Sequence, residues 1–265
     1  MKEQILTCLS PGYPWKEQLQ CFLEVDSTND RLKQLAAQGA PHGTVLIADR
    51  QTGGHGRRGR TFLSPAGMGI YLSILLRPDC APGELMHLTC ATAIAMCGAV
   101  EQAAGFRPGI KWTNDLVYGR KKLGGILTEL GLTSQGKVDF AIIGIGINCC
   151  QREDDFAPEI REIAGSLAMA SGQEISRAKV AAAMMEALEK MDAALLTKKD
   201  AMLAQYRRDC ITIGREISLL RGDQVRHGRA LDVDDNGALV VAFADGSVEA
   251  VNSGEVSVRG MYGYL

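Results

Sequence analysis

The stretch VDFAIIGIGI, residues 138–147, is the longest of four apolar runs that predict a buried sheet. The other three are VLIA at 45–48, IYLSILL at 70–76 and GILTEL at 125–130. Each run is short and is bounded by glycine, asparagine or charged residues, which is typical of strands in a largely buried sheet. We therefore expect a sheet to form the main body of the fold.

Helical segments lie between and after these runs. Residues 27–37 begin with a serine or threonine N-cap, residues 84–102 are apolar nearly all round, and residues 176–196 start at a serine and carry a methionine stripe. The second segment should be deeply buried, and the methionine stripe should lie in the core. Because strands and helices mix without a steady β-α-β rhythm, the sequence favours an α+β fold over a doubly wound sheet.

The pattern changes beyond Cys210 to short alternating runs. Turn signals stand at Asp235–Gly237 and at Asp245–Gly246. About 50 residues are enough for a small barrel to fold. We therefore predict two domains, residues 1–210 and an all-β domain of residues 211–265.

The composition argues against several classes of partner. Lys and Arg number 29 and Asp and Glu 31, for a net charge of −2, so the chain has no global basic field of the kind that drives nucleic-acid binding. The N-terminus offers no signal-peptide core, and no uninterrupted apolar run approaches the ~20 residues that span a bilayer. We expect a soluble, cytoplasmic protein that binds no membrane.

The eight cysteines indicate reduced, buried thiols and not a disulfide framework. They are scattered, and several stand in apolar stretches such as CATAIAMCGAV. The chain has no CxxC pair, and its four histidines show no ligand spacing. We therefore predict no structural or catalytic zinc.

Two motifs carry candidate chemistry. The loop QTGGHGRRGR, Gln51–Arg60, combines four glycines with three arginines; glycines permit close backbone approach, and arginines supply forked donors for carboxylate and phosphate oxygens. KWTND, Lys111–Asp115, leads through Arg120, Lys121 and Lys122 into the strand GILTEL, and an Asp beside cations suits Mg²⁺ or charge stabilisation. Taken alone, the loop could also be a flexible basic segment that contacts RNA, and the second motif a hairpin whose charged tip lies in water.

The order of the motifs resolves this ambiguity. Asp26-Ser-Thr-Asn29, the Gly/Arg loop, the block KWTND–KLGGIL and Gly144-Ile-Gly-Ile-Asn148 stand in the order found in biotin–protein ligases. The tail Gly214–Arg259 resembles the SH3-like C-terminal domain of the same family. The chain therefore resembles a biotin–protein ligase of the form without an N-terminal DNA-binding domain, which implies a mixed-sheet catalytic domain of the biotin/lipoate ligase class.

The resemblance also implies roles for single residues. It implies biotin contacts by Ser27, Thr28, Asn29, Gln51, His55, Gly56, Arg57, Phe62, Lys122 and Gly124. It implies ATP contacts by Arg57, Arg60, Lys111, Asn114, Asp115 and Asn148, with Asp115 as the candidate ligand of Mg²⁺. Lys122, Arg57 and Lys111 are the expected catalytic residues.

Two positions depart from the family pattern. His55 stands where the family loop, GRGRxGR, has its first arginine, and an unperturbed histidine is mostly neutral at pH 7. Thr113 stands where the family commonly has proline. The first departure removes one cationic fork, and the second removes some loop rigidity.

The implied reaction activates biotin with ATP as biotinyl-5′-AMP and transfers it to a lysine of a biotin carboxyl carrier protein of acetyl-CoA carboxylase or a related carboxylase. A lipoate or octanoate ligase is the nearest rival, and a biotin-sensing repressor is a rival of another class. Only about 25 residues precede Asp26, too few for a three-helix DNA-binding unit, so we expect no DNA binding. The sequence leaves monomer and homodimer open.

Overall fold

A mixed seven-stranded sheet forms the main body, as the apolar runs predict. The computed structural model describes residues 1–222, 224–252 and 257–260 of the chain. The strands are β1 (Leu19–Val25), β2 (Thr44–Gln51), β3 (Gly69–Leu76), β4 (Gly109–Lys111), β5 (Asp115–Tyr118), β6 (Lys121–Leu132) and β7 (Val138–Asn148). Their order is β1-β2-β3-β7-β6-β5-β4, with β1 and β2 parallel and the other neighbours antiparallel. The predicted α+β class is confirmed.

Helices cover both faces of this sheet. They are α1 (Lys2–Cys8), α2 (Thr28–Ala37), α3 (Leu88–Ala104), α4 (Leu167–Ser171), α5 (Arg177–Ala194) and α6 (Lys199–Asp209). On one face α2 buries Leu32 and Ala36 against Leu46, Leu75 and Ile142. On the other face α3 and α5 form the larger core with β3 and β6. The sheet is therefore buried on both sides, which explains why its central strands are continuously apolar.

The helix starts follow the predicted caps in two cases. Ser27 accepts a hydrogen bond from the Asp30 amide and begins α2, and Ser176 accepts one from the Lys179 amide and begins α5. The methionine stripe of α5 is buried, as expected. Each serine satisfies an amide that the first turn of a helix leaves without a partner.

The buried helix starts later than the sequence predicts. It begins at Leu88 and not at Glu84, because Pro82–Leu85 forms a separate 3-10 turn in which the Glu84 carboxylate accepts from the Ala81 amide. The span Pro82–Ala104 is long and apolar enough for a membrane helix by length and composition alone. In this fold 61% of its apolar window is buried against protein, as in the core helix of a soluble domain.

The tail forms a second, antiparallel sheet. Its strands are β8 (Glu216–Arg221), β9 (Gln224–Val233), β10 (Leu239–Phe243), β11 (Val248–Val251) and β12 (Ser257–Gly260), in the order β11-β10-β9-β8-β12. Both predicted turns connect neighbouring strands, and Gly237 and Gly246 adopt left-handed φ values of 82° and 84° there. The all-β character of the tail is confirmed, whereas the exact boundary at residue 210 stays a prediction.

The second sheet packs against the first part of the chain through the turn between β9 and β10. The indole N–H of Trp112 donates to the Gly237 carbonyl at 3.0 Å. Arg207 of α6 donates to the Val233 carbonyl at 2.7 Å and pairs with Asp235 at 2.9 Å. The tail therefore contacts the KWTND segment directly.

Candidate active site

One pocket of about 300 Å³ lies between the start of α2, the Gly/Arg loop, the β4–β5 hairpin, β6 and β7. The predicted site residues that line it are Ser27, Thr28, Asn29, Gln51, His55, Gly56, Arg57, Arg60, Phe62, Lys111, Asn114, Asp115 and Lys122. Two others, Gly124 and Asn148, are absent from its walls in the described part of the chain. We call the part around Ser27–Asn29 and Gln51 the α2 end, and the part around Arg57, Lys111 and Lys122 the hairpin end.

Gln51 joins the end of β2 to the first turn of α2. Its Oε1 accepts from both the amide and the hydroxyl of Thr28, at 2.8 and 2.9 Å. Its Nε2 donates to Ser64 Oγ at 3.0 Å. Because the oxygen of Gln51 is fully engaged, the amide orientation is fixed by the network, with its nitrogen as the remaining polar group.

The side chain of Asn29 is buried between three elements. Its Nδ2 donates to Glu129 Oε2 at 2.7 Å, and its Oδ1 lies 2.6 Å from the hydroxyl of Ser73. Gly144 on β7 makes room for the amide, because a Cβ at that position would collide with Oδ1. Glu129 in turn pairs with Lys33 at 2.6 Å. Burial disfavours the Lys33 ammonium, but its hydrogen bonds to Glu129 and Asp30 outweigh this effect and raise its pKa.

The α2 end presents hydrogen-bond donors. The Ser27 hydroxyl, the second Nδ2–H of Asn29 and the second Nε2–H of Gln51 have no acceptor among the described residues. Ser27, Thr28 and Asn29 are each at most 5% exposed, so a ligand that excludes water here must satisfy these donors itself. This end is therefore complementary to a neutral group that carries a carbonyl oxygen.

The Gly/Arg loop folds back on itself beside that end. The Gly56 amide donates to the Arg60 carbonyl at 2.7 Å, and the Phe62 amide donates to the Gly54 carbonyl at 2.9 Å. A side chain at Gly54 would lie 2.7 Å from the Phe62 carbonyl, so glycine is required for this turn. The Nδ1–H of His55 donates to the Gly53 carbonyl at 3.2 Å, and the same atom lies 3.8 Å from Asp30. The histidine ring is thus held by its own loop and by α2.

The hairpin end is strongly cationic. Arg57, Arg58, Arg60, Lys111 and Lys122 line the pocket, and Asp115 is the only carboxylate among its described lining residues. Lys122 Nζ lies 2.6 Å from Asp115 Oδ1, and Arg57 donates to Asn114 Oδ1 at 2.9 Å. Burial lowers the pKa of Arg57, an effect that Asp115 opposes and the neighbouring arginines reinforce. Such an excess of positive charge in a concave site suits a polyphosphate or a carboxylate.

The backbone of the KWTND segment is held from behind. Tyr206 of α6 donates its hydroxyl to the Thr113 carbonyl at 3.0 Å, and the Trp112 amide donates to Thr212 Oγ1 at 2.9 Å. The Asn114 side chain donates to the Ile126 carbonyl at 2.9 Å, and the Trp112–Thr113 peptide bond is cis. These contacts fix the position of the hairpin residues that face the pocket.

Gly124 and Asn148 lie just behind the pocket wall. Asn148 donates to the Gly165 carbonyl at 2.9 Å, and the Gly165 amide donates to the Lys122 carbonyl at 2.9 Å. A Cβ at Gly124 would lie 2.5 Å from the Gly146 carbonyl, so this glycine lets β6 and β7 approach; its neighbour Gly125 is the residue that lines the pocket. Both positions therefore support the site without facing it in this structure.

Several site residues were missed at the sequence level. Ser73 and Glu129 join the Asn29 network, and Gly144 and Gly146 open space for Asn29 and Phe62. Two signals were available. Ser73 is the one small polar residue in IYLSILL. The two glycines of GIGIN lie two residues apart, so they share one face of a strand. Glu129 carried no signal because its partner Asn29 is distant in sequence.

Comparisons with known proteins agree with this arrangement. The Biotin/lipoate A/B protein ligase family matches residues 21–148, and the biotin protein ligase C terminal domain matches residues 212–259. A bifunctional ligase/repressor of Bacillus spizizenii is 35% identical over 88% of this chain and 72% of its own length. A biotin–acetyl-CoA-carboxylase ligase of Mycobacterium tuberculosis is 31% identical over 94% of this chain and 91% of its own length.

A solved structure shows the same fold. The biotin protein ligase of Aquifex aeolicus in complex with biotin and ATP superposes with a TM-score of 0.77 and 31% identity. The match covers 91% of this chain and 98% of that chain. Both sheets of the present chain therefore have counterparts in a single known fold.

Proposed function

We infer the function of this site from the premise that the chain belongs to the biotin protein ligase family. It is an ATP-dependent ligase that activates biotin and transfers it to a carrier protein. This conclusion rests on one observation, namely that a single pocket contains both the donor-rich α2 end and the cationic hairpin end. Donors at the α2 end suit the ureido carbonyl of biotin, and cations at the hairpin end suit its carboxylate and the phosphates of ATP.

The reaction has two steps. A carboxylate oxygen of biotin attacks the α-phosphorus of ATP, so that biotinyl-5′-AMP forms and pyrophosphate leaves. The amine of a carrier lysine then attacks the acyl carbon, so that the amide forms, AMP leaves and the amine loses a proton. The protein contributes mainly by holding the reacting groups together and by stabilising charge on the phosphate oxygens.

The roles of single residues are part of the proposal. The α2 end (Ser27, Thr28, Asn29 and Gln51) would bind the ureido ring, and Phe62 would pack on the ligand. The loop (His55, Gly56 and Arg57) would hold the carboxylate. Lys122, Arg57 and Lys111 would stabilise the transferred phosphoryl group, and Arg60, Asn114 and Asp115 would bind the nucleotide. Their common position on the pocket wall supports these assignments, while Asn148 and Gly124 would act through the backbone around Lys122.

Mg²⁺ fits the site as a companion of ATP. Asp115 is the one pocket carboxylate among the described residues, and Mg²⁺ often binds through one carboxylate, several waters and substrate phosphates. Asp115 would hold the ion, which would supply charge neutralisation at the phosphates. The same carboxylate lies 2.6 Å from the Lys122 ammonium.

The carrier protein of a biotin-dependent carboxylase is the protein substrate that the relatives' names indicate. We propose further that the protein acts in the cytoplasm, as a monomer or homodimer, and does not bind DNA. In support of the last point, 29 Lys and Arg stand against 31 Asp and Glu, so the chain has no global basic field of the kind that drives nucleic-acid binding.

Pyrophosphate release tests the assignment. The protein is incubated with ATP, Mg²⁺ and, in separate reactions, biotin, lipoate or octanoate, and then with an apo carrier domain. Biotin alone among the three acids should drive pyrophosphate release, and the carrier should gain the mass of one biotinyl group. Equal release of pyrophosphate with lipoate would instead assign the site to a lipoate ligase.

A further inference from the structure

The Asn29 amide is oriented by a charged pair that Glu129 of β6 forms with Lys33 of α2. Glu129 binds Asn29 Nδ2 through Oε2 at 2.7 Å and Lys33 through Oε1 at 2.6 Å. Lys33 also binds Asp30 at 3.1 Å, so this lysine ties the first turns of α2 to β6. The carboxylate thus stands between an ammonium and an amide, with one oxygen for each.

Of the two contacts of Asn29, the one to Glu129 decides which way the amide points. Ser73 can donate its proton to Asn29 Oδ1 or, if the amide were reversed, accept from Nδ2 while it donates to Thr28 Oγ1, 2.7 Å away. A hydroxyl therefore tolerates both orientations. A carboxylate only accepts, so Glu129 excludes the reversed orientation, in which two oxygens would face each other.

We propose that Glu129, held by Lys33, is a positioning residue that fixes Asn29 as a hydrogen-bond donor and so selects acids whose head group carries a cyclic urea. This rests on the proposed function, because it assigns the α2 end to the head group of the acid. Acids that lack a carbonyl at this end gain nothing from the orientation of Asn29.

Substitution by the isosteric amide tests the role of charge. In Glu129→Gln, the new Oε1 is drawn to the Lys33 ammonium, which leaves Nε2 facing Asn29. The two nitrogens cannot donate to each other, so Asn29 reverses and offers its oxygen to the ligand. We expect the Kd for biotin alone, measured by calorimetry, and the KM for biotin to rise about tenfold, with kcat and the KM for ATP within about twofold of wild type.

The double variant separates positioning from simple loss of structure. Lys33→Met alone keeps the carboxylate and should change the biotin Kd less than about threefold. In Lys33→Met/Glu129→Gln the glutamine is free to turn its oxygen toward Asn29, so the double variant should bind biotin more tightly than Glu129→Gln does. Purely structural damage predicts the opposite, because the two losses would add.

Glu24→Gln is the matched control. It removes the same charge from a pair with Arg50 at 2.9 Å on the surface of neighbouring strands, away from the pocket, and should behave as wild type.

The preference for biotin over octanoate should fall in Glu129→Gln by the same factor as the biotin affinity. An unchanged biotin Kd, or a double variant weaker than Glu129→Gln, overturns the proposal. A wild-type protein that activates lipoate and not biotin would instead overturn the proposed function.

Discussion

His55 lies in a loop that is closed by backbone hydrogen bonds. The ring donates to the Gly53 carbonyl and approaches Asp30, while the backbone contacts between Gly56 and Arg60 close the turn without any side chain. At position 55 the backbone therefore shapes the loop, and any residue would supply that backbone. The arginine that the family resemblance leads us to expect at this position would add one cation to the several that line the pocket.

We expect His55→Arg to change little at this position. A guanidinium would reach Asp30 as the imidazole does, so the KM for biotin should stay within about threefold of wild type, the range of one exposed pair. Steady-state kinetics with biotin varied at saturating ATP checks this. A tenfold improvement would mean that the arginine fork itself binds the carboxylate, and that this chain lacks a contact its family uses.

Lys122 and Lys121 form a natural pair for testing the hairpin end. Lys122 faces the pocket beside Asp115, whereas Lys121 donates to the Arg161 carbonyl at 2.9 Å and does not line the pocket. Lys122→Ala should lower the rate of biotin-dependent pyrophosphate release by roughly 10²–10³-fold, the usual cost of removing one charge-stabilising group. Lys121→Ala should keep the rate within about threefold.

Circular dichroism and thermal melting provide the fold control for both lysine variants. The Lys122–Asp115 pair is partly exposed, with side chains 30% and 17% accessible, so its loss should cost little stability. A folded Lys122→Ala protein that still releases pyrophosphate at the normal rate would remove Lys122 from the proposed mechanism.

At the scale of elements, β7 combines a core face and a site face in one strand. Ile143, Ile145 and Ile147 are buried in the main core, and the glycines between them, Gly144 and Gly146, face the pocket. Alternation along a strand places these two sets on opposite sides of the sheet. Over residues 143–147 the isoleucines therefore stabilise the fold, and the two glycines make space for a ligand.

Gly144→Ala should separate these two tasks. The added methyl would collide with the Asn29 amide and push it out of the donor array, which should weaken biotin binding about tenfold or more. Calorimetry with biotin gives the affinity, and the KM for ATP should change little because the hairpin end is untouched. Gly98→Ala in α3 is a useful control, since its methyl would meet only the end of the Arg107 side chain at 4.0 Å.

The elements that local patterns specify were predictable, and those that depend on distant partners were not. Ser27 and Ser176 cap their helices through contacts within four residues, and the apolar runs of β3 and β7 reflect burial on both faces. By contrast β1, with the mixed pattern LQCFLEV, is a strand because it pairs with β2 at the edge of the sheet. Helix α6 has five charged residues among its eleven, and its buried residues are Leu203 and Tyr206.

The site shows the same division. The chemistry of the pocket came from motifs that are contiguous in sequence, such as QTGGHGRRGR and KWTND. Contacts between side chains far apart in the chain, such as Asn29 with Glu129, leave no local pattern. The start of α3 was misplaced for a different, local reason, since Glu84 continues the helical pattern but its carboxylate accepts from the Ala81 amide and caps a separate turn.

At the scale of the whole molecule, the tail sheet meets the KWTND hairpin through one turn. Gly237 offers its carbonyl to Trp112, and a Cβ at Gly237 would lie 3.0 Å from Cys90 Sγ in α3. The turn is shaped by Asp234, whose carboxylate accepts from the amides of Asn236 and Ala238 at 2.8 Å. The tail thus touches a segment that faces the hairpin end of the pocket, so we expect the docking of the tail and the binding of nucleotide to be coupled.

Two alanine variants distinguish docking from turn strain. Gly237 and Gly246 have nearly equal left-handed φ values, but a Cβ at Gly246 has no neighbour within 4 Å. Both Gly237→Ala and Gly246→Ala should lose about 1 kcal/mol from turn strain. Only Gly237→Ala should also raise the KM for ATP, by roughly three- to tenfold, while the KM for biotin stays nearly constant. Equal KM values for ATP in the two variants would mean that the tail only stabilises the fold.

Trp112 allows the contact between the tail and the hairpin to be followed by tryptophan fluorescence. The chain has two tryptophans, and the other, Trp15, packs against Tyr13 and His42 and does not line the pocket. A Trp15→Phe protein would therefore keep a single tryptophan, Trp112, which lines the pocket and whose indole N–H donates to the tail. Its emission wavelength would record in real time whether the tail is seated when ATP arrives, without any attached dye.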